Sequence, residues 1–368
     1  MENWFTVENI ADVDTPALLI YPDRVKENIH ILKTFVDDVK RLRPHVKTNK
    51  SPDITRMLVK AGIIKFKCAT IAEAEMLAMN GAIDVLLAHQ PVGPKGERLA
   101  RLIKKYPQVK FSCLIDDLSN AKNLSATFEK NGLNVPVYID LNVGMNRTGI
   151  EPEKALQLFN DCQSLKGITI AGLHAYDGHL REPDLETRRK QCNEGFDRVT
   201  RLRDDILKST GNKLPVVAGG TPSFPIHAER KSVECSPGTF IYWDKGYQSI
   251  LKEQPFLFAA LVVTRVISIP TPDTICVDLG HKGIASENPI DKRVYFLNAE
   301  GLTPTGHSEE HLVLETNNKH SYKVGDVLYG VPHHICPTVN LYDTPFIIEN
   351  GKYTGNWETI SRKRKITI

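Results

Sequence analysis

The segment RPHVKTNK, residues 43–50, places Arg43, His45, Lys47 and Lys50 within eight positions around a short apolar stretch. A lysine withdrawn from water loses part of its preference for the charged form, and the freed amine can condense with an aldehyde to a Schiff base. Two other segments combine glycine with hydroxyls: Ala218-Gly219-Gly220-Thr221-Pro222-Ser223 and Ser236-Pro237-Gly238-Thr239. Free backbone N–H groups and hydroxyls of such loops suit a phosphate. Arg147 in VGMNRTG adds a cation, and His174 and Tyr176, alternating in HAY, add an imidazole and a phenol that point the same way on a strand. In PHHICPTVNLYD, His334 and Cys336 stand two apart, so an extended segment turns both side chains to one side. An imidazole and a thiolate there are half of a zinc-type site. A buried cysteine beside a histidine is the alternative, and His333 falls on the opposite face.

These residues lie far apart in the chain, so the elements between them must bring them together. Short apolar, β-rich runs recur at 42–47, 65–70, 84–88, 109–116, 135–142, 168–176, 214–220 and 232–238. Segments of helical period lie between most of them, among them SPDITRMLVKAG, TIAEAEMLAMNGA, EPEKALQLFNDCQ and ETRRKQCNEGFDRVTRLRDDIL. The alternation predicts βα units and a parallel sheet. Eight such units over about two hundred residues predict a (β/α)8 barrel of TIM type rather than an open doubly wound sheet. From about residue 250 the texture changes: LFAALVVTRVISIP, DTICVDLG, RVYFLNA, EEHLVLET and DVLYGVPHH follow one another with turn residues between them. That predicts an antiparallel β-domain. The boundaries read as 16–248 for the barrel and 249–368 for the β-domain, which residues 1–15 can join; TPALLIY (15–21) is open to either.

In a barrel, chemistry sits at the C-terminal ends of the strands. The predicted ends are His45-Val46-Lys47, Asp140-Leu141-Asn142 followed by Arg147, His174-Ala175-Tyr176, and the two glycine loops. An amine for a Schiff base beside a phosphate cradle of Gly219, Gly220, Thr221, Gly238 and Thr239 predicts pyridoxal 5'-phosphate as cofactor. The bland readings are a solvated Lys47, a surface charge at Arg147, a satisfied core histidine at His174 and a simple tight turn at GGTPS. The nucleotide fingerprints GxGxxG after the first strand and GxxxxGK[ST] are missing.

Composition narrows the partners. The chain has 368 residues, 41% hydrophobic and 25% charged, with a formal net charge of +3. That near balance carries no electrostatic footprint for nucleic acid or a membrane surface. The opening MENWFTVENIADVD is polar and acidic, unlike a signal peptide, and no apolar run approaches the ~18–20 residues of a membrane span. Seven scattered cysteines without a CxxC predict a reduced, cytoplasmic chain.

RPHVKTNK resembles the RPHxKTHK segment of D-threonine aldolases and D-serine dehydratases, the alanine-racemase-like (fold-type III) class of pyridoxal phosphate enzymes. The resemblance runs through ATIAEAEML (69–77), IDLNVGMNRTGI (139–150), GLHAYDGH (172–179), GGTPS (219–223), ECSPGTFIYWD (234–244), VDLGHKGIASE (277–287) and PHHICPTVNLYD (332–343). Asn49 departs from it, standing where relatives carry histidine. The resemblance implies that Lys47 holds the cofactor covalently, that Arg147 faces its phenolic oxygen, and that Tyr176 lies near its pyridine. It also implies a divalent metal on His334 and Cys336. The His-x-Cys form is that of the dehydratases, which prefer zinc; many aldolases have His-x-Asp, better suited to manganese or magnesium, yet TVNLYD looks more like the aldolases. The implied reaction on a D-3-hydroxy-α-amino acid is either Cα–Cβ cleavage to glycine and an aldehyde, or loss of the hydroxyl to a keto acid and ammonia. His179 and Glu182 are candidates for the base of the first route. The aldolase reading leads, a D-serine dehydratase follows, and an amino-acid racemase comes next. A non-catalytic pyridoxal phosphate carrier is the reading from outside enzymology, and carriers of that kind lack the β-domain. Relatives pair head-to-tail, which implies a homodimer.

Overall fold

The computed structural model describes residues 3–316 and 320–368. The chain forms two compact units, Leu32–Gly238 with Ile360–Ile368, and Met1–Ile31 with Thr239–Thr359.

The first unit is a curled parallel sheet of seven strands in sequence order: Lys65–Cys68, Asp84–Leu87, Lys110–Ile115, Val135–Leu141, Ile168–Ala175, Val216–Ala218 and Val233–Cys235. Each pairs in parallel with the next, as short apolar runs joined by helices must. Three of the joining helices start where the sequence supplies a cap. Thr70, Asp117 and Asp184 each accept a backbone N–H three residues on, from Glu73, Asn120 and Thr187. The longest helix, Leu185–Thr210, stops at Gly211, whose left-handed φ of 73° ends it at no steric cost.

Residues 42–47, expected as the first strand, do not form a continuous one. They make isolated bridges to both edges of the sheet instead, Leu42 with Cys235 and His45 with Lys67. Arg43 N–H donates to Cys235 O (2.9 Å) and His45 N–H to Pro237 O (2.9 Å). On the other side Val46 N–H donates to Lys67 O (3.0 Å), and Lys67 N–H to Pro44 O (2.9 Å). Pro44 has no N–H to give, so the ladder is interrupted there. The segment thus occupies the eighth position of the ring while falling short of a regular strand.

Arg43, which the sequence places four residues before Lys47, serves the ring closure. Its guanidinium is 1% exposed and bridges Asp84 (2.6 Å) and Glu234 (2.7 Å), on two different strands. Removing one partner of a buried ion pair leaves uncompensated charge, at a cost of about 3–5 kcal/mol. Arg43→Met is therefore expected to lower unfolding stability by about that amount, measured by urea denaturation; an unchanged midpoint would mean that the bridge does not hold the ring.

The second unit carries nine strands. Their main path runs Leu302–His307, Leu312–Thr316, Thr274–Val277, Ala260–Thr271, Ala17–Ile20, Phe346–Glu349 and Lys352–Asn356, while Val294–Phe296 pairs with Val327–Pro332, itself paired to Ala260–Thr271. All pairs are antiparallel except Ala17–Ile20 with Phe346–Glu349. The run TPALLIY thus joins this sheet, registering Leu19 against Leu261. Leu19, Leu261, Val263 and Val331 form its core with Phe5 and Tyr329. No helix among the described residues is long and apolar enough to cross a membrane.

Candidate active site

Lys47 stands on the turn that follows the ring-closing segment. Asn49 N–H and Lys50 N–H both fold back onto Val46 O (3.1 and 2.9 Å), and Lys50 takes a left-handed φ of 52° before helix Pro52–Lys60 begins. That conformation is uncommon for a residue with a Cβ. Lys50 Nζ is fastened to the buried Glu73 at 2.5 Å. Asn49, the departure from the resembled segment, has its own local duty: its side-chain oxygen accepts Ser51 N–H at 3.1 Å. Half-buried His45 accepts Lys47 N–H on Nδ1 at 3.2 Å. Burial, and then the cationic Lys47 and Lys67, hold its pKa well below the usual histidine value, so it is neutral at pH 7.

Three cations surround the ring of Tyr176. Arg147 Cζ lies 5.0 Å from its centroid, Lys67 Nζ 5.4 Å and Lys47 Nζ 5.9 Å. Two glycines make room for the ring: a Cβ on Gly178 would stand 2.1 Å from the phenol oxygen, and one on Gly220 2.8 Å from Cε2. The structure therefore gathers Lys47, Arg147, Tyr176 and Gly220 in one place. It adds Lys67, which sequence reading passed over. His174 is buried and fully engaged, with Nδ1 2.7 Å from Asp140 Oδ1 and Nε2 3.4 Å from Lys67 Nζ. Burial alone would raise the Asp140 pKa, but bonds from His174 and Thr148 and the charge of Lys67 bring it below the usual carboxylate value.

Behind the first glycine loop lies a buried polar network. Gly220 N–H donates to Ser223 Oγ (3.3 Å), which donates to Asp177 Oδ1 (2.5 Å); the other oxygen of Asp177 meets His227 Nε2 at 2.8 Å. Arg230 donates to His227 Nδ1 (3.0 Å), so the imidazole proton sits on Nε2, directed at Asp177. Gly219 has φ +77°, and a Cβ there would stand 2.6 Å from His227 Cδ2 and 3.0 Å from Ser223 Oγ. The two loops are tied together by Gly238 N–H to Thr221 Oγ1 (3.3 Å). A Cβ on Gly238 would stand 3.0 Å from His45 O. Ser236 Oγ, buried at the adjoining strand end, has no hydrogen-bond partner among the described residues.

The Asp177, Cys192 and His227 ligand atoms lie within 4.8 Å of one another, a donor set able to hold a metal ion. In this structure they bond to each other instead: burial, then Asp177, pushes the Cys192 thiol up to about 12, so it is protonated.

Cations, close-approach glycines and an orphan hydroxyl fit an anionic, phosphorylated ring. Replacing Gly220 with valine drives a side chain into Tyr176, and cofactor affinity is expected to fall about tenfold or more, for each ~1.4 kcal/mol lost. Equilibrium dialysis of pyridoxal phosphate against a folded Gly220→Val protein checks this; unchanged affinity would put the cradle elsewhere.

The remaining predicted residues have surroundings of their own. His179 is exposed, packs over Gly144, and lines a cleft with Gln191, Glu194 and Arg198. Glu182 precedes helix Leu185–Thr210, where its backbone carbonyl accepts from Arg188. Thr239, expected in the phosphate cradle, places its hydroxyl 3.7 Å from Cys336 Sγ, within the second unit.

In that unit His334 is the extended residue that opens a short helix, Ile335–Val339, and Cys336 lies in its first turn. The segment is not extended throughout, as the two-residue spacing suggested, because Asp244 Oδ2 caps the helix by accepting Ile335 N–H at 3.2 Å. The two side chains still meet. Burial would lower the His334 pKa, but the hydrogen bond to Cys336 and the carboxylate of Glu287 raise it to about 9. Glu287 Oε1 lies 2.5 Å from His334 Nδ1. A carboxylate on one ring nitrogen fixes the other for a metal, the usual outer partner of a metal-binding histidine.

The family model for the alanine racemase N-terminal domain matches residues 20–245. The chain belongs to that family. A serine dehydratase domain model matches residues 259–348 of this alanine racemase-family chain. The chain is 27% identical over 361 residues to a D-threonine aldolase of Arthrobacter sp., covering 96% of this chain and 94% of the relative. It is 26% identical over 368 residues to a 3-hydroxy-D-aspartate aldolase of Paracoccus denitrificans, with 96% and 93% covered. The crystal structure of D-threonine aldolase from Filomicrobium marinum superimposes with a TM-score of 0.86 at 28% identity, covering 96% and 97% of the two chains.

Proposed function

We propose that this chain is a pyridoxal-phosphate- and divalent-metal-dependent lyase that cleaves D-3-hydroxy-α-amino acids between Cα and Cβ, as a D-threonine aldolase does. The observation that carries the reading is the gathering of Lys47, Lys67 and Arg147 around Tyr176, a ring that Gly220 of the first glycine loop lets approach. The full-length similarity to two aldolases supports it. When bound, pyridoxal phosphate supplies an electron sink for Cα, and the metal supplies a Lewis acid for the β-hydroxyl.

The chain's own residues divide the work. Lys47 holds the cofactor by its amine. Arg147 holds a fixed positive charge beside the Tyr176 ring, suited to an ionised phenolic oxygen. Gly219, Gly220, Thr221 and Gly238 receive the phosphate, with Ser223 and Asp177 bracing the loop from behind. His334 and Cys336 hold the metal while Glu287 fixes the imidazole. A thiolate is a soft ligand, so zinc is the expected ion, with manganese the alternative. His179 remains the candidate base for the hydroxyl proton. A homodimer in the cytoplasm completes the reading.

Cys336 favours one second reading, a dehydratase that releases a keto acid and ammonia, and the dehydratase-type second domain supports it. Product analysis with D-threonine and D-serine, with and without chelator, separates the two. Glycine and acetaldehyde from D-threonine are expected. Ammonia with a keto acid and no glycine would replace the aldolase by the dehydratase, and racemised substrate alone would overturn both.

A further inference from the structure

Lys67 lies in the strand Lys65–Cys68, whose period of two gives Lys65 and Lys67 the same face. Their fates differ. Lys65 is paired with Glu234, whereas Lys67 is 1% exposed and has no carboxylate within 4 Å among the described residues. An ammonium has three N–H donors, and Lys67 uses one, toward His174 Nε2 at 3.4 Å. With Nδ1–H of His174 given to Asp140, Nε2 is an acceptor, so Lys67 is the donor in that contact. The rest of its hydrogen-bonding capacity is unspent, in a place where an unpaired charge is costly. That place is beside the Tyr176 ring, flanked at 5.4 Å by Lys67 and at 5.9 Å by Lys47.

We propose that Lys67 is a second functional lysine, a positioning residue whose amine faces the group carried by Lys47 from the barrel interior and sets that group's ionisation. The inference rests on the cofactor reading above. A cation there favours the anionic form of a neighbouring phenol or ring, and a neutral amine does not. Charged and titratable groups from every neighbouring segment decide which is present. Burial and then the cations Lys47 and Arg43 discharge the amine, Asp140 and Asp177 oppose them, and together they bring its pKa down to about 7. His174 and His45, both held neutral by burial first and cations second, add no charge of their own at pH 7. The amine thus changes charge near neutrality: it is cationic below that point and neutral above it.

The test is the absorbance of the holoenzyme between pH 5.5 and 9, recorded for the wild type, Lys67→Met, Lys67→Arg and Asp140→Asn. The wild type is expected to show a spectral transition within this range. Lys67→Met removes the titrating amine, and Lys67→Arg keeps a cation that does not titrate in this range; each folded variant loses the transition while borohydride still fixes the cofactor on Lys47. Asp140→Asn deletes a carboxylate that raises the Lys67 pKa, so its midpoint moves to lower pH. A wild type without a transition, or an unshifted midpoint in either Lys67 variant, overturns the proposal. A wild type that yields no reducible adduct contradicts the cofactor reading instead, so the two failures are distinguishable.

Discussion

Removing the proposed metal, by chelator or by Cys336→Ala, is expected to abolish turnover of D-threonine and leave the borohydride-reducible chromophore on the barrel intact. The reason is the division of labour in the proposed function: the cofactor depends on Lys47, and the ion on His334 and Cys336. A Lewis acid on a reacting oxygen contributes several kcal/mol, so its loss costs on the order of 10³-fold or more in rate. Cys336→Asp keeps the ligand count with a harder donor; part of the activity survives, and preference moves from zinc toward manganese. Glu287→Gln leaves both ligands but loosens the imidazole that Glu287 contacts at 2.5 Å, with roughly a 10–100-fold loss of metal affinity. Elemental analysis beside activity, for wild type and the three variants, checks the series. Full activity in a metal-free enzyme would overturn the role given to the metal.

The second large effect is at Lys47. Lys47→Ala deletes the only amine that the proposed function gives a covalent duty. The expected results are loss of the reducible chromophore and a fall in turnover on the order of 10³-fold or more, the scale of a lost proton-transfer or nucleophilic group. Thermal unfolding of the apoprotein should change little, because Lys47 is half-buried on a turn and its backbone N–H bond to His45 survives the substitution. A Lys47→Ala protein that still forms a reducible adduct would move the covalent duty to another lysine, with Lys67, beside the same Tyr176 ring, and Lys50, three residues on, the candidates.

The parallel sheet was legible because its information is local. Apolar runs of strand length alternate with segments of helical period, and each run announces itself without knowing its neighbours. What needed long-range information was not legible. TPALLIY reads as a strand, but nothing within seven residues says that it registers against Leu261. The ring closure is similar: Pro44 signals a broken ladder, yet only the fold brings Leu42 to Cys235. In the candidate site, residues embedded in distinctive motifs could be singled out, among them Lys47, Arg147, Tyr176 and the glycines, and the fold gathers Lys47, Arg147, Tyr176 and Gly220. Their buried supports were missed, since each support is defined by a partner far away in the chain: Asp177 with His227, 50 residues on, and Glu287 with His334, 47 residues on. Lys67 did leave a trace. A cation between Phe66 and Cys68, in a strand whose neighbours are buried, must either reach solvent or meet a polar partner inside. The two-residue spacing of His334 and Cys336 pointed to two side chains that do meet, but through the wrong backbone, because the Asp244 cap that turns the segment into a helix lies 91 residues away.

The proposed function turns on which amine carries the cofactor. The direct measurement is borohydride reduction of the holoenzyme, proteolysis, and mass spectrometry of the phosphopyridoxyl peptide. One modified site, at Lys47 within RPHVKTNK, is predicted. Modification at Lys67 or Lys50 with Lys47 unlabelled, or a protein that takes up no label at all, would contradict it.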